Sequence, residues 1–328
     1  MKAIVRTGKG KQFANMRVVE LPSPSPGPRE IKVQVSSSRI NPVDQGIMNG
    51  MPFITYKEPQ VGGVDGAGII LETGSEVNNF KKGDRVFFYR YFSDVGSWAE
   101  EILIDMEQAA LIPSNISVEE AGGIALPTLT AFESLKVLTP RSGESILIHA
   151  AAGGVGIMAV QMAMHMGLNV IATAGTGDVA LLKKMGVKEV IDYKKQSFEE
   201  VVKKGGVDFV FDLVGNEVLM KSLLLQPKKV VSVNYPDPNK LHRTGLKVPG
   251  ILKWVMGLAN GKYRKVARNN NVELIGQVTG PNGKGLGNAA EILSQIIPLT
   301  LKNPEKLSIL QIEKEGMEGA KVGSLITF

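Results

Sequence analysis

Ile146-Leu147-Ile148-His149-Ala150-Ala151-Ala152-Gly153-Gly154-Val155-Gly156 decides the fold. An apolar strand runs straight into a glycine loop, and the loop opens a helix read over Val155 to Met166. In that context Ala151, Gly153 and Gly156 occupy the three spaced positions of G-x-G-x-x-G, with alanine at the first. The bare backbone at Gly153 lets a pyrophosphate approach, and Gly156 lets the helix pack closely on the strand. The N–H groups at the helix start, near Gly154 and Val155, face the anionic oxygens. A glycine turn that serves packing alone is the competing reading; the βα units that follow argue against it.

Downstream, strands and helices alternate. Strands are read at Ser145 to His149, Asn169 to Thr173, Glu189 to Ile191, Phe209 to Leu213 and Lys229 to Val233, and helices at Val179 to Met185 and Phe198 to Lys204. That alternation predicts a parallel, doubly wound sheet covered by helices on both faces, hence an α/β class. Further on, Ile251 to Leu258 and Ala289 to Leu301 read as helices. Val272 to Val278 reads as one more strand, and Ser324 to Phe328 as a final strand returning to the first part of the chain.

Upstream the character differs. Ile31 to Val35 alternates with period two, as a half-buried strand does. Pro22, Pro24, Pro26 and Pro28 form a stiff connection before it. Gly62 to Gly68 reads as a tight glycine loop feeding the strand Ile69 to Glu72, and Lys82 to Phe88 as a turn and a strand. These short strands predict a compact β-rich domain. Between the two parts, Val118 to Leu138 reads as one helix, capped by Ser117 and with Glu119 and Glu120 in its first turn.

Composition limits the chemistry. The chain has 328 residues, 43% of them hydrophobic, no cysteine and three histidines. Disulfides, thiolate zinc sites and a catalytic thiol are impossible, and a histidine-built metal site is disfavoured. No apolar run is long enough to span a bilayer, and the N-terminus lacks the core of a signal peptide; a cytoplasmic protein with no membrane partner is expected. The net charge of +6 comes from scattered lysines, so a solvated basic surface is favoured over nucleic-acid binding.

An NAD enzyme places an acid about 20 residues past the fingerprint, for the ribose hydroxyls. Here that strand tip is Thr173-Ala174-Gly175-Thr176, with no carboxylate, and Asp178 follows only where it can cap the helix at Val179. Hydroxyls and N–H groups at Thr173, Gly175 and Thr176 suit a 2′-phosphate, which favours NADP(H). Val214, just past the strand ending at Leu213, is counted with the same cofactor-binding set.

The run His149 to Gly156 resembles the zinc-independent quinone oxidoreductase (zeta-crystallin-like) branch of the medium-chain dehydrogenase/reductase family. Gly63-Val64-Asp65-Gly66-Ala67-Gly68 is similar to its G-x-E-x-A-G element with Asp65 replacing Glu, and Gly83-Asp84-Arg85-Val86 and Leu129-Thr130 also match. The resemblance runs from residue 1 to about 233. It implies a β-rich GroES-like catalytic domain over 1–121 and 279–328 and a Rossmann domain over 122–278. It implies an NADPH-dependent, zinc-free reductase of quinones or activated alkenes (enones), working as a homodimer. Val64 stands where zinc-dependent relatives have histidine, and Asn41-Pro42-Val43-Asp44 stands where their first zinc cysteine falls.

The same resemblance places Asn41 near nicotinamide and substrate, Thr130 near pyrophosphate and nicotinamide, and Tyr193 beside the adenosine phosphate. Asp44 either orients substrate or water or stabilises its own turn. The chain departs from the family at Met51-Pro52-Phe53, at Asn234 where glycine is usual, and at Lys321-Val322-Gly323-Ser324-Leu325. Hydride chemistry asks little of protein acid–base groups, and His149 reads as structural. A zinc-free alcohol or enoyl reductase and a non-catalytic NADPH-sensing or RNA-binding protein are the rival readings.

Overall fold

The computed structural model describes residues 1–8, 13, 15–49, 59–90, 96–235, 237–241, 248–279, 287, 290–291, 294, 306–308, 317, 320–321 and 324–328. In the first part the elements are β1 (Lys2–Arg6), β2 (Met16–Glu20), β3 (Glu30–Arg39), α1 (Pro42–Met48), β4 (Gln60–Val61), β5 (Asp65–Thr73), β6 (Arg85–Tyr89), β7 (Glu101–Asp105) and β8 (Ala109–Leu111). β1 lies between β2 and β4 in a small antiparallel sheet. The larger sheet is built on β3. One edge of β3 pairs with β5. The other is shared by β7, from Glu30↔Asp105 to Gln34↔Glu101, and β16 (Leu325–Thr327), from Ser37↔Thr327 to Arg39↔Leu325. β15 (Lys306–Ser308) runs parallel beside β16. The read alternation holds in β3: Ile31, Val33 and Val35 pack with Ile70, Val86, Phe88, Ile102 and Ile104.

The helix read over Val118 to Leu138 is two helices, α2 (Val118–Ala121) and α3 (Ala125–Leu138). Ser117 and Glu120 form the reciprocal cap of α2, and the break follows at Gly122 and Gly123. There the chain crosses β3 so closely that a Cβ on Gly122 would lie 2.0 Å from Ser37 Oγ. The interruption seats the short helix on the sheet and re-aims the long one.

From there the alternation predicted by the sequence appears: β9 (Ser145–Ile148), α4 (Gly154–His165), β10 (Asn169–Ala174), α5 (Val179–Lys184), β11 (Glu189–Asp192), α6 (Phe198–Val201), β12 (Phe209–Asp212), α7 (Asn216–Leu224), β13 (Lys229–Ser232), α8 (Gly250–Ala259), α9 (Gly261–Asn269) and β14 (Glu273–Gly276). α6 ends short of Lys204 because Val202 is already extended. The sheet is parallel throughout, in the order β11-β10-β9-β12-β13-β14. Numbered within the sheet this is 3-2-1-4-5-6, the Rossmann order, whose direction reverses between β9 and β12. The helix read at Ala289 to Leu301 lies largely outside the described residues.

One large core takes side chains from all three sheets. Its largest buried side chain is Trp98, which meets Phe13 edge-on at 5.8 Å. The backbone of Gly62 and Gly63 lies flat against the indole, and Gly63 has φ +88°. Those glycines therefore serve packing: only residues without a side chain can pass the ring. A Cβ at Gly62 would sit 2.1 Å from Trp98 Cε3. Gly62→Ala should lower stability by about 1–3 kcal/mol, the usual range for overpacking a filled core. Urea unfolding of both proteins checks this; an unchanged midpoint would show that the indole has room to retreat.

Candidate active site

Asn41 follows β3, caps the start of α1 and is buried. Its amide nitrogen donates to Asp65 Oδ1 at 2.7 Å, and its backbone N–H donates to Asp44 Oδ2 at 2.6 Å. Asp65 Oδ2 accepts from the Leu126 N–H, in the first turn of α3, at 3.0 Å. The Asp65 carbonyl is gripped by Ser38 and Ser97, each at 2.7 Å. One turn beyond Leu126, the Thr130 hydroxyl donates to the Leu126 carbonyl at 2.8 Å and lies 2.9 Å from Thr279 Oγ1. Asn41, Asp44 and the start of α3 thus meet at Asp65, with Thr130 one turn along the helix.

Asp44 and Asp65 are both fully buried carboxyls. Burial pushes the Asp44 carboxyl well above the usual carboxylate range, and the charge of Asp65 adds to the push. Burial lifts Asp65 to about 7, against the pull of the Leu126 N–H, the Asn41 amide and Arg39. Both Asp65 oxygens accept hydrogen bonds; Asp44 Oδ2 accepts from the Asn41 N–H, and Oδ1 has no partner within hydrogen-bond geometry, though the Val64 N–H and the Asn41 amide favour the Asp44 charge. An unpartnered buried oxygen is where a proton costs least. Burial favours a proton on both carboxyls, and at Asp65 the Leu126 N–H, the Asn41 amide and Arg39 pull the other way. Asp44 acts as a turn-stabilising acid: it reaches no surface.

The glycine loop leaves β9 through His149 and Ala150, the latter at φ +48°. The Ala151 N–H donates to the Thr173 carbonyl at 3.0 Å. Gly153 caps α4, with Gly154 and Val155 opening it. A Cβ on Gly156 would lie 2.4 Å from the Ala150 carbonyl oxygen, so that glycine is required by helix-on-strand packing. A Cβ on Gly153 would meet only that same oxygen, at 3.2 Å. The N–H groups of a first helical turn have no intrahelical acceptor. At Gly153 they lie behind backbone that a phosphate can approach.

A cleft of about 780 Å³ opens over the strand ends, lined by His149, Thr173, Tyr193, Phe198 and Val214 among others. Val214 is anchored by its N–H donating to Asp212 Oδ1 at 3.0 Å. His149 is buried between Thr173 Oγ1, 3.2 Å from Nδ1, and Ser222 Oγ, 3.0 Å from Nε2, with Phe198 edge-on at 4.6 Å. Burial lowers its pKa to about 4. It packs as a neutral ring between the two hydroxyls and occupies that of Thr173.

Gly175 and Tyr193 come together beside the cleft, whereas Thr176 lines a second hollow: the Tyr193 N–H donates to Ala174 O at 3.1 Å, and a Cβ on Gly175 would touch the Tyr193 hydroxyl at 3.4 Å. The parallel register sets Asp192 opposite Ala174. An acid therefore stands beside this strand tip after all, supplied by the neighbouring strand rather than by the tip itself. Burial works against its charge, yet the Thr176 hydroxyl, the Lys194 N–H and Lys195 hold it below the ordinary value. Lys195 Nζ lies 3.7 Å from it, and both line that second hollow, of about 600 Å³, with Thr176 and Lys183.

Known proteins resemble this chain in sequence and fold. Residues 27–114 match the family described as "Alcohol dehydrogenase GroES-like domain", and residues 154–229 that described as "Zinc-binding dehydrogenase". Quinone oxidoreductase of Sus scrofa is 32% identical over 224 residues, 65% of this chain and 68% of that one. The chain belongs to the quinone oxidoreductase branch of the medium-chain dehydrogenase/reductase family. The 2-methylene-furan-3-one reductase of Solanum lycopersicum is 33% identical over 72% of this chain and 60% of that one. Escherichia coli quinone oxidoreductase, solved in complex with NADPH, superposes with a TM-score of 0.76 at 27% identity, over 100% of both chains.

Sequence reading missed Asp192 because it searched along one strand, and β-register lies between strands. It passed over Arg39 and Leu126 because nothing in their own neighbourhood marks them. The signal that could have found the cluster was Asp65 itself, an acid inside the small-residue run Gly62 to Gly68.

A buried carboxyl that keeps its proton in the folded state favours folding most below its unfolded pKa. That stability is lost as pH rises toward the folded value. Asp44→Asn, which imitates the protonated form, should therefore gain on the wild type by up to about 1.4 kcal/mol per pH unit between pH 5 and 8. Denaturant midpoints measured across that range decide it; parallel slopes for the two proteins would mean that Asp44 is ionised in the native state.

Proposed function

We propose that this chain is an NADPH-dependent oxidoreductase that reduces a quinone or the β-carbon of an activated alkene without zinc. The observation that carries the reading is Gly153: a helix cap with no side chain and an open outer side, at the point where a parallel sheet reverses strand order. That is where doubly wound sheets bind dinucleotides. The pig and E. coli relatives support a quinone as substrate, and the tomato reductase supports an alkene conjugated to a carbonyl.

NADPH, when bound, supplies the hydride, and solvent supplies the accompanying proton. Ala151, Gly153, Gly154, Val155 and Gly156 hold the pyrophosphate. Gly175, Thr176 and Tyr193 take the adenosine half, with Thr173 behind them and Val214 as a wall. Lys195 and Lys183 answer the 2′-phosphate, and Lys195 also offsets the Asp192 charge that would repel it. Asn41 and Thr130 face the nicotinamide and substrate. Asp65 holds the Asn41 amide, and Asp44 holds its backbone, so both are positioning residues. The catalytic domain spans 1–121 with 279–328, and the Rossmann domain 122–278. A cytoplasmic homodimer belongs to the same reading and rests on the sequence and the resemblance.

Zinc does not fit the donors. The chain has no cysteine. Val64 is packed in the core, both Asp65 oxygens accept hydrogen bonds, and both His149 nitrogens are bonded to hydroxyls. Among the described residues no group of His, Asp and Glu could hold a metal.

Purified protein should oxidise NADPH with a panel of small quinones and enones, hold far less than one zinc per chain, and keep its rate in chelator. No turnover with any acceptor would favour a cofactor-sensing protein on the same fold; chelator-sensitive turnover would sink the zinc-free assignment. Gly153→Val and Gly156→Ala should separate cofactor binding from folding. The first should keep its melting temperature while NADPH affinity falls at least about tenfold, or 1.4 kcal/mol. The second should lose stability even without cofactor, since its Cβ strikes backbone. Unchanged NADPH affinity in Gly153→Val would mean that the pyrophosphate lies elsewhere.

A further inference from the structure

The helix α8, Gly250–Ala259, has the sequence GILKWVMGLA. Ile251, Trp254, Val255 and Leu258 recur at i, i+3, i+4 and i+7, which is one helical face. In a water-exposed helix of a globular domain such a face turns inward. Here it turns outward: Ile251 is 74% exposed, Trp254 64%, Val255 48% and Leu258 61%. No residue of α8 is buried.

The next helix supplies the charge. In α9, Gly261–Asn269, Tyr263 and Ala267 are buried, and Tyr263 packs edge-on against Tyr235 at 6.0 Å. Lys262, Arg264, Lys265 and Arg268 are exposed, and the helix has no acidic residue. α8 is coupled directly to this docked helix: Asn260 ends one and begins the other, and the Arg264 guanidinium donates to the Gly257 carbonyl. An apolar strip carrying a tryptophan thus sits on a firmly anchored basic support.

We propose that α8 lies in the surface of an anionic lipid bilayer, its Ile251–Trp254–Val255–Leu258 strip among the acyl chains and the cations of α9 at the headgroups. An apolar face, a tryptophan suited to the interface and a basic flank are the features of a helix that lies on a membrane. The described helices include none long and apolar enough to cross one. The sequence reading expects no membrane partner because it looks for a spanning segment; this contact needs none. A protein partner fits less well. Four side chains on a convex helix fall far short of the roughly 20 residues a side of a stable protein interface. A second copy docked on the same face across a two-fold axis would bring the α9 cations against their own kind. The contact is independent of the dinucleotide site.

The chain contains its own reporter. It has two tryptophans, and Trp98 is 0% exposed, so only Trp254 can change surroundings on binding. Full-length protein should sediment with vesicles of phosphatidylcholine mixed with phosphatidylglycerol, and much less with phosphatidylcholine alone. Its emission should shift to the blue on binding, and added salt should reverse the effect. Trp254→Ser should lose binding while keeping its melting temperature. Lys265→Gln should weaken it about fivefold, the worth of one cation near an anionic surface. Failure to bind the anionic vesicles at low salt, or binding without a change in emission, would overturn the proposal. So would a wild-type dimer that Trp254→Ser turns into a monomer in sedimentation velocity, because α8 would then be a contact between copies.

Discussion

Asp65 is the constraint on which the rest of the site depends. Its two oxygens take hydrogen bonds from segments far apart in sequence, the Asn41 amide at the start of α1 and the Leu126 N–H at the start of α3. Its carbonyl is fixed by Ser38 and Ser97. A buried carboxyl held by two donors is stiff: moving either donor away would leave a polar oxygen without a partner in a low-dielectric interior. The loop at Asn41 and the helix carrying Thr130 are therefore set relative to one another before any ligand arrives. Preorganisation of this kind is what a reaction with little acid–base chemistry asks of a protein.

Much of the fold was legible because it rests on local pattern. The parallel strands are apolar runs bounded by turns, and the glycine fingerprint fixes where the first meets its helix. The single helix expected over Val118 to Leu138 failed for a reason outside that segment: Gly122 is set by contact with Ser37, which is distant in sequence. The helix at Asn216–Leu224 went unread because it opens on Gly215 and Asn216, both at positive φ, without a conventional cap. α9 went unread because its apolar positions are few among its cations, and the docking of Tyr263 gives it its place.

The site was legible in part. Residues whose role is steric, such as Gly156, can be read from a motif because the motif encodes the close approach. Residues whose role is electrostatic cannot, because field and burial belong to the assembled molecule. Asp44 shows the difference. Its position before a turn was readable, but the upward push on its carboxyl comes from burial first and the charge of Asp65 second, neither of which belongs to its own segment. Asp192 shows it again, since its charge reaches the cofactor side only through the register of β10 and β11.

The pairing of β16 with β3 has a consequence for how the molecule is made. Residues 325–327 complete an edge of a strand that leaves the ribosome nearly three hundred residues earlier. The parallel sheet, contiguous from Ser145 to Gly276, has all its strands much sooner. Domains fold as units during synthesis, and pairings between distant segments form last. The nucleotide half is thus complete while one edge of the other half is still open. Until the final strand arrives, the exposed edge at Ser37 to Arg39 is the place where a nascent chain is most open to mispairing with another and to capture by a chaperone.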